Sequence, residues 1–274
     1  MAKIILVGSG PWPTKIQTAL EKASIFSQQI SYGDFKVLNA REISELTSKS
    51  IIWVCTRPQN QIRVIEKLSG LYVKVILEKP LATNKRELKK LKKIMNKSHC
   101  YFFISQVWTF SDIWRFLKSN VDFHNTTFIR IERFGMDRRT YLSPPQDWLP
   151  HDIYLIQDVY GKALLESKIY KKESILFDTA ELKIIVKNGP EIQITGGHKD
   201  GDRITKWELS NQNNTYVFNF IDNSADILDK STQNWLHINF EKGSEISRMV
   251  KKVGQSSVGD DLITVVKLYS KLLI

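Results

Sequence analysis

The chain has 274 residues, with 40 Lys plus Arg against 29 Asp plus Glu and a formal net charge of +11 at pH 7. Hydrophobic residues make up 42%, enough to bury a core and too many for a predominantly disordered chain. No apolar run approaches the ~20 residues of a membrane-spanning helix. The two cysteines, Cys55 and Cys100, are too few for a disulfide framework or a zinc site. A soluble, cytoplasmic protein with reduced thiols and no metal is expected, organised as one large or two modest domains.

The chain opens on KIILVG at 3–8, which ends in glycine and reads as a first strand rather than a secretory leader. A helical pattern, TKIQTALEKA, follows, then strand candidates near 25–32 and at 35–39, FKVLN. ISELTSKS is short and helical, IIWVC at 51–55 is a buried-type strand, 58–70 is helical, and VKVILE at 73–78 is the next strand. KRELKKLKKIMNK at 85–97 holds seven basic residues and one acid. Leu88, Leu91, Ile94 and Met95 recur there at helical spacing, so it reads as an amphipathic helix with lysines outward. No aromatic interleaving accompanies the charge, so no nucleic-acid partner is expected; the positive field suits an anionic cofactor or substrate. YFFISQ at 101–106 closes a run of strands alternating with helices, the pattern of βαβ units around a parallel sheet.

The later half differs. TTFIRIERF at 126–134 alternates like a strand and 151–160 is helical. ILFDT, ELKIIVK, EIQITGG, TKWELS, TYVFNFI and WLHINF follow, separated by Asn- and Gly-rich turns, and DDLITVVKLYSKLLI closes the chain as a helix. The predicted fold is α/β: a doubly wound parallel Rossmann domain over 1–115 and an α+β domain with a mostly antiparallel open sheet over 116–274.

Gly8-Ser9-Gly10-Pro11-Trp12-Pro13 lies between a strand and a helix, the context a dinucleotide fingerprint requires. The first glycine permits the turn, the second lets backbone approach a pyrophosphate, and the helix start offers N–H groups and partial positive charge. Pro13 stands where a third glycine is usual. Such a turn also serves structure alone. Asp34 is the nearby acid for ribose hydroxyls and equally a turn residue. Lys79 ends a buried strand at the sheet edge where α/β proteins bind ligands, with Pro80 fixing the backbone after it. Asp147 and His151 are four apart; if Asp147 stands in the first helical turn, one helix face carries both, and a carboxylate beside an imidazole orients it and stabilises its charged form. A lone histidine is equally structural. Asp152 reads as a helix cap.

Gly8-Ser9-Gly10, Cys55-Thr56-Arg57-Pro58, Leu77-Glu78-Lys79-Pro80-Leu81-Ala82 and Asp147-Trp148-Leu149-Pro150-His151-Asp152 together resemble the Gfo/Idh/MocA oxidoreductase family. The Pro-His-Asp wording and the Ser105-Gln106 to Phe110 segment are most similar to members acting on nucleotide-activated sugars. The resemblance implies NAD or NADP, held by Gly8, Gly10, Pro11, Trp12, Asp34, Thr56, Arg57, Pro58, Glu78 and Lys79. It implies hydride transfer to or from a hydroxyl or keto carbon of a sugar or nucleotide sugar, as in polysaccharide biosynthesis. His151 would be the general acid/base, Lys79 would bind the reacting oxygen, and Asp147 would orient His151 or the substrate. Gln106, Arg138 and Arg139 would contact substrate. The C-terminal sheet would mediate a homo-oligomer, although Trp207, Phe218, Phe220, Trp235 and Phe240 read first as ordinary core. Ser143-Pro144-Pro145-Gln146 replaces the family's glycine pair, and the second crossover is short. The competing class is a non-catalytic relative that binds a dinucleotide or sugar as a sensor or interaction module. Reduction of a C=N or tetrapyrrole substrate is a third reading, which would not need the Asp–His pair.

Overall fold

The computed structural model describes residues 2–135, 142–173, 178–198 and 201–272. Its contacts divide the chain into two compact units, Met1–Val107 with Gly243–Ile274 and Trp108–Lys242. The candidate residues Arg138 and Arg139, and most of ILFDT, lie outside the described residues.

The first unit begins with β1 (Lys3–Val7), α1 (Pro11–Lys22), β2 (Ser27–Ile30), α2 (Tyr32–Val37), α3 (Ala40–Thr47), β3 (Ser50–Val54), α4 (Pro58–Leu68), β4 (Lys74–Leu77), α5 (Lys85–Met95) and β5 (Tyr101–Ile104). All five strands are parallel, in the order β2-β1-β3-β4-β5. Ile4, Ile5, Leu6 and Val7 are buried without alternation, as expected of a strand covered on both faces. Each such aliphatic side chain stabilises the fold by about 1.5–3 kcal/mol relative to exposure. In α5 only Leu88, Leu91 and Met95 are buried, and Asn84 caps its start by accepting from the Glu87 amide at 2.9 Å.

The strand expected at 35–39 is not formed. Ser31 accepts from the Asp34 amide at 3.0 Å and starts α2, so Phe35 is buried from a helical turn while Val37 is exposed. Asn39 and Glu42 then close a capping box around the start of α3. Two short helices therefore carry the chain from β2 to β3, and the sheet has a single strand on the far side of β1.

In the second unit α6 (Asp112–Asn120), β6 (Phe128–Gly135), α7 (Pro144–Asp147), α8 (Pro150–Tyr160) and α9 (Ala163–Glu166) precede a run of strands. These are β7 (Lys168–Glu173), β8 (Thr179–Ile185), β9 (Glu191–His198), β10 (Ile204–Ser210), β11 (Asn214–Asn219), β12 (Ser224–Asp229) and β13 (Asn234–Asn239). The eight-stranded order is β13-β12-β11-β10-β6-β9-β8-β7, antiparallel throughout except for the parallel pair β6–β9. Trp207, Phe218 and Phe220 are core, Phe240 is half-buried against Phe116, and Trp235 is exposed on the edge strand. The charged KIYKKE of β7 and the polar SADILD of β12 carry little of the apolar alternation that marks the other strands.

The chain then returns to the first unit as α10 (Glu245–Gln255) and α11 (Leu262–Leu272). Lys74 Nζ donates to the Gly254 carbonyl at 2.6 Å, and the Ile104 amide donates to Asp260 at 2.7 Å. Met249, Val250, Val253, Val265, Leu268 and Tyr269 are buried. The boundary therefore lies at 107–108 rather than 115, and residues after 242 do not belong to the second unit. Among the described residues no helix is long and apolar enough to cross a membrane.

Candidate active site

Because every strand of the first unit runs the same way, their carboxyl ends share one edge. The ladder continues one step past them: the Gly8 amide donates to Ile30, Cys55 to Val7, Glu78 to Val54 and Ser105 to Leu77, at 2.8, 2.9, 3.2 and 2.8 Å. Gly8, Cys55, Glu78 and Ser105 thus stand in one row, and Ser9, Thr56, Lys79 and Gln106 follow them. The strand order reverses between β1 and β3, and ligands of open α/β sheets bind at such a switch point.

Gly8 has φ +148°, and a Cβ there would stand 2.7 Å from the Cys55 carbonyl oxygen, so only glycine lets β1 leave the sheet at this point. Gly10 caps α1 at φ +136°, and a Cβ there would meet nothing within 4 Å. Bare backbone, open space and a helix start suit a dinucleotide pyrophosphate. Pro11 and Pro13 each lack an N–H, so Trp12 is the donor left among the first three helical residues. Pro13 is buried and Trp12 partly exposed. Asp34 is exposed, its carboxylate accepting from Ser31 Oγ at 2.6 Å, an arrangement that caps α2.

Glu78 is buried and accepts from Trp53 Nε1 at 2.8 Å. Burial raises its carboxyl pKa; hydrogen bonds from Trp12, Ser105 and Trp53 and the Lys79 charge act in the opposite sense. Burial, and secondarily the Glu78 charge, push the Cys55 thiol well up. Lys79 is half-buried and precedes a cis peptide to Pro80. Thr56 and Gln106 are half-buried, and exposed Arg57 precedes Pro58 at the first position of α4. Gln61, which the sequence reading did not single out, is buried on α4 and donates to the carbonyls of Glu78 and Pro80 at 2.9 and 3.3 Å.

In the second unit, Asp147 and His151 do not share one helix. Asp147 is buried at the end of α7, its amide donating to Ser143 at 3.1 Å. Trp148 and Leu149 turn the chain, and Pro150 opens α8 with half-buried His151 in its first turn. Proline is well suited to a first helical position and poorly suited to an interior one, which is why the helix restarts here. The sheet receives this turn: a Cβ on Gly135 of β6 would collide with the Trp148 ring.

Beneath His151, Asp152 is fully buried and is no cap. Arg133 pairs with it through Nε and through Nη2, the latter at 2.8 Å, and Trp207 Nε1 donates to it at 2.9 Å. Arg133 also reaches Thr205 Oγ1 at 3.5 Å and lies 5.8 Å from the Trp108 ring centroid. A buried ion pair holds only when its desolvation is offset by such multiple bonds. The signal that could have found it is Arg133 itself, in phase with inward-facing Ile129 and Ile131.

The Gfo/Idh/MocA model, described as "Oxidoreductase family, NAD-binding Rossmann fold", matches residues 15–106. Residues 15–106 of this chain are thus similar to the family's NAD-binding domain. The matched residues run from within α1 to just past β5 of the doubly wound sheet described above, and the match begins just beyond the glycine turn. Among the curated proteins no sequence matches the chain. Solved structures share the fold over nearly its whole length. The UDP-N-acetylglucosamine 3-dehydrogenase GnnA from Acidithiobacillus ferrooxidans is 14% identical with a TM-score of 0.77, covering 99% of this chain and 95% of that one. A Gfo/Idh/MocA family oxidoreductase from Vibrio cholerae is 12% identical with a TM-score of 0.76, covering 100% and 96%. An oxidoreductase from Agrobacterium radiobacter, solved with NAD+, L-tartaric acid and magnesium, is 11% identical with a TM-score of 0.75, covering 99% and 94%.

Proposed function

We propose that the protein is an NAD(P)-dependent dehydrogenase or reductase acting on a hydroxyl or keto carbon of a sugar, in particular a nucleotide-activated sugar. The observation that carries this reading is the row at the sheet edge, where the open glycine turn, Thr56-Arg57-Pro58, Glu78-Lys79 and Gln106 are in register. The nucleotide-sugar choice is supported by GnnA, whose name specifies UDP-N-acetylglucosamine.

The nicotinamide, when bound, accepts or supplies the hydride. Gly8, Gly10, Pro11 and Trp12 would flank the pyrophosphate, Asp34 would approach the ribose, and Thr56, Arg57, Pro58 and Glu78 would line the nicotinamide side. In the oxidative direction Lys79 donates a hydrogen bond to the substrate oxygen and stabilises the charge that develops as its proton leaves. His151 accepts that proton as the carbon gives up a hydride, and returns one in the reductive direction. Asp147 orients His151 or the substrate. Gln106, Arg138 and Arg139 contact the sugar and its phosphates. Both cysteines are free thiols, which suits work in the cytoplasm. The exposed Trp235 and Leu236 of β13 suit a homo-oligomer through the second sheet.

Tryptophan quenching by NADH and NADPH, followed by turnover on a panel of nucleotide sugars, tests the proposal. Lys79→Ala and His151→Ala are each expected to lose turnover by about 10²–10⁴-fold while cofactor binding is retained. Wild-type rates in both variants refute the assignment. Wild-type protein that binds a dinucleotide and turns over none of the panel supports the binding-module alternative.

A further inference from the structure

Gln61 is 1% exposed, on the face of α4 that packs toward the end of β4. Its amide nitrogen donates to Glu78 O at 2.9 Å and Pro80 O at 3.3 Å, the carbonyls immediately before and after Lys79. Its Oε1 is buried and has no hydrogen-bond partner among the described residues. A buried acceptor without a partner is destabilising. Gln61 thus leaves one oxygen dry while its nitrogen serves two carbonyls. What the amide supplies in return is a two-point hold on the backbone on both sides of one lysine. Leucine or methionine would fill the volume and leave both carbonyls ungripped.

We propose that Gln61 is a positioning residue for Lys79: it fixes the 78–80 backbone so that the ammonium meets the reacting oxygen in one orientation. It touches neither cofactor nor substrate and acts only through Lys79. This rests on Lys79 serving the reaction as described above. A group displaced by about 1 Å loses up to ~100-fold in rate, so a small side chain one element away has a measurable effect on chemistry.

The test compares wild type, Lys79→Ala, Gln61→Met and Gln61→His. Methionine keeps the volume and removes both donors; histidine keeps an N–H that can serve one carbonyl. Saturating turnover in Gln61→Met should fall ~10–100-fold, with the dissociation constant for NADH or NADPH within about twofold of wild type, and Gln61→His should lie between. An activity-independent reading comes from competitive acetylation of the cofactor-free protein across pH, with the peptide containing Lys79 followed by mass spectrometry. The pH midpoint for Lys79 should shift in Gln61→Met and return toward wild type in Gln61→His. Turnover, its pH profile and Lys79 labelling all at wild-type values in Gln61→Met, with Lys79→Ala inactive, overturn the positioning role and leave the proposed function intact. Wild-type turnover in Lys79→Ala defeats the part assigned to Lys79 and overturns the positioning role with it, whereas failure of the wild-type protein to turn over any substrate of the panel defeats the proposed function itself. If Gln61→Met does not fold, Gln61→His decides by the same labelling and rate criteria.

Discussion

Glu78 shows how a single buried side chain couples the site to pH. The folded chain holds its carboxyl above the ordinary value of 4.5 and so binds that proton more tightly than the unfolded chain does. The resulting stabilisation is complete below 4.5 and is lost as pH rises through the raised value. Glu78→Gln keeps an acceptor for Trp53 and has no proton to lose. Its urea midpoint should therefore vary less between pH 5 and pH 8 than that of wild type, with the difference between the proteins shifting in the variant's favour at pH 8. A midpoint difference that is the same at both values would remove Glu78 as the source. At this scale the sequence was informative where a residue type stands out from its surroundings, as Lys79 does just past the apolar run Val75-Ile76-Leu77. Arg133 and Asp152 were not legible as partners: each looks like a surface charge, and only the inward phase of β6 and the first turn of α8 bring them together.

Elements buried on both faces were the most legible. β1, β3, β4 and β5 are continuous apolar runs, and the structure places all four within a residue or two of their predicted ends. FKVLN imitates a strand because Phe35 and Val37 alternate with polar residues, yet the Ser31 cap commits the segment to a helical turn. Helix α10 was overlooked although Ile246, Met249, Val250 and Val253 recur at helical spacing. Asp147 and His151 could share a helix face only if Asp147 stood in the first helical turn; Pro150 divides them, with Asp147 ending α7 and His151 in α8. That division makes the Trp148 turn a separate part with its own seat on β6. Gly135→Ala should push Trp148 off the sheet and shift Asp147 and His151 with it. We expect a drop in turnover of at least ~10-fold and a stability loss of about 1–3 kcal/mol, with dinucleotide affinity, a property of the other unit, unchanged. Wild-type turnover in Gly135→Ala, or a drop in turnover that follows weakened dinucleotide binding, would contradict this account.

At the scale of the whole molecule, the edge strand β13 presents Trp235 at 59% and Leu236 at 57% exposure. An exposed apolar strand edge invites pairing, and Trp235→Glu should lower the sedimentation coefficient of an assembled wild type toward that of a single chain. Identical sedimentation of the two proteins would place the contact elsewhere. The two-unit plan was legible from the change in element pattern, but the return of α10 and α11 to the first unit was not, because apolar periodicity reveals that a helix needs cover and not which surface supplies it. The return has a consequence for biosynthesis. A nascent chain leaving the ribosome finishes residues 108–242 before it has made the helices that complete the Rossmann sheet's surroundings. The middle segment can settle first, while the amino-terminal half waits for the last piece; a ribosome stalled near residue 242 should therefore display a protease-resistant middle and a digestible beginning.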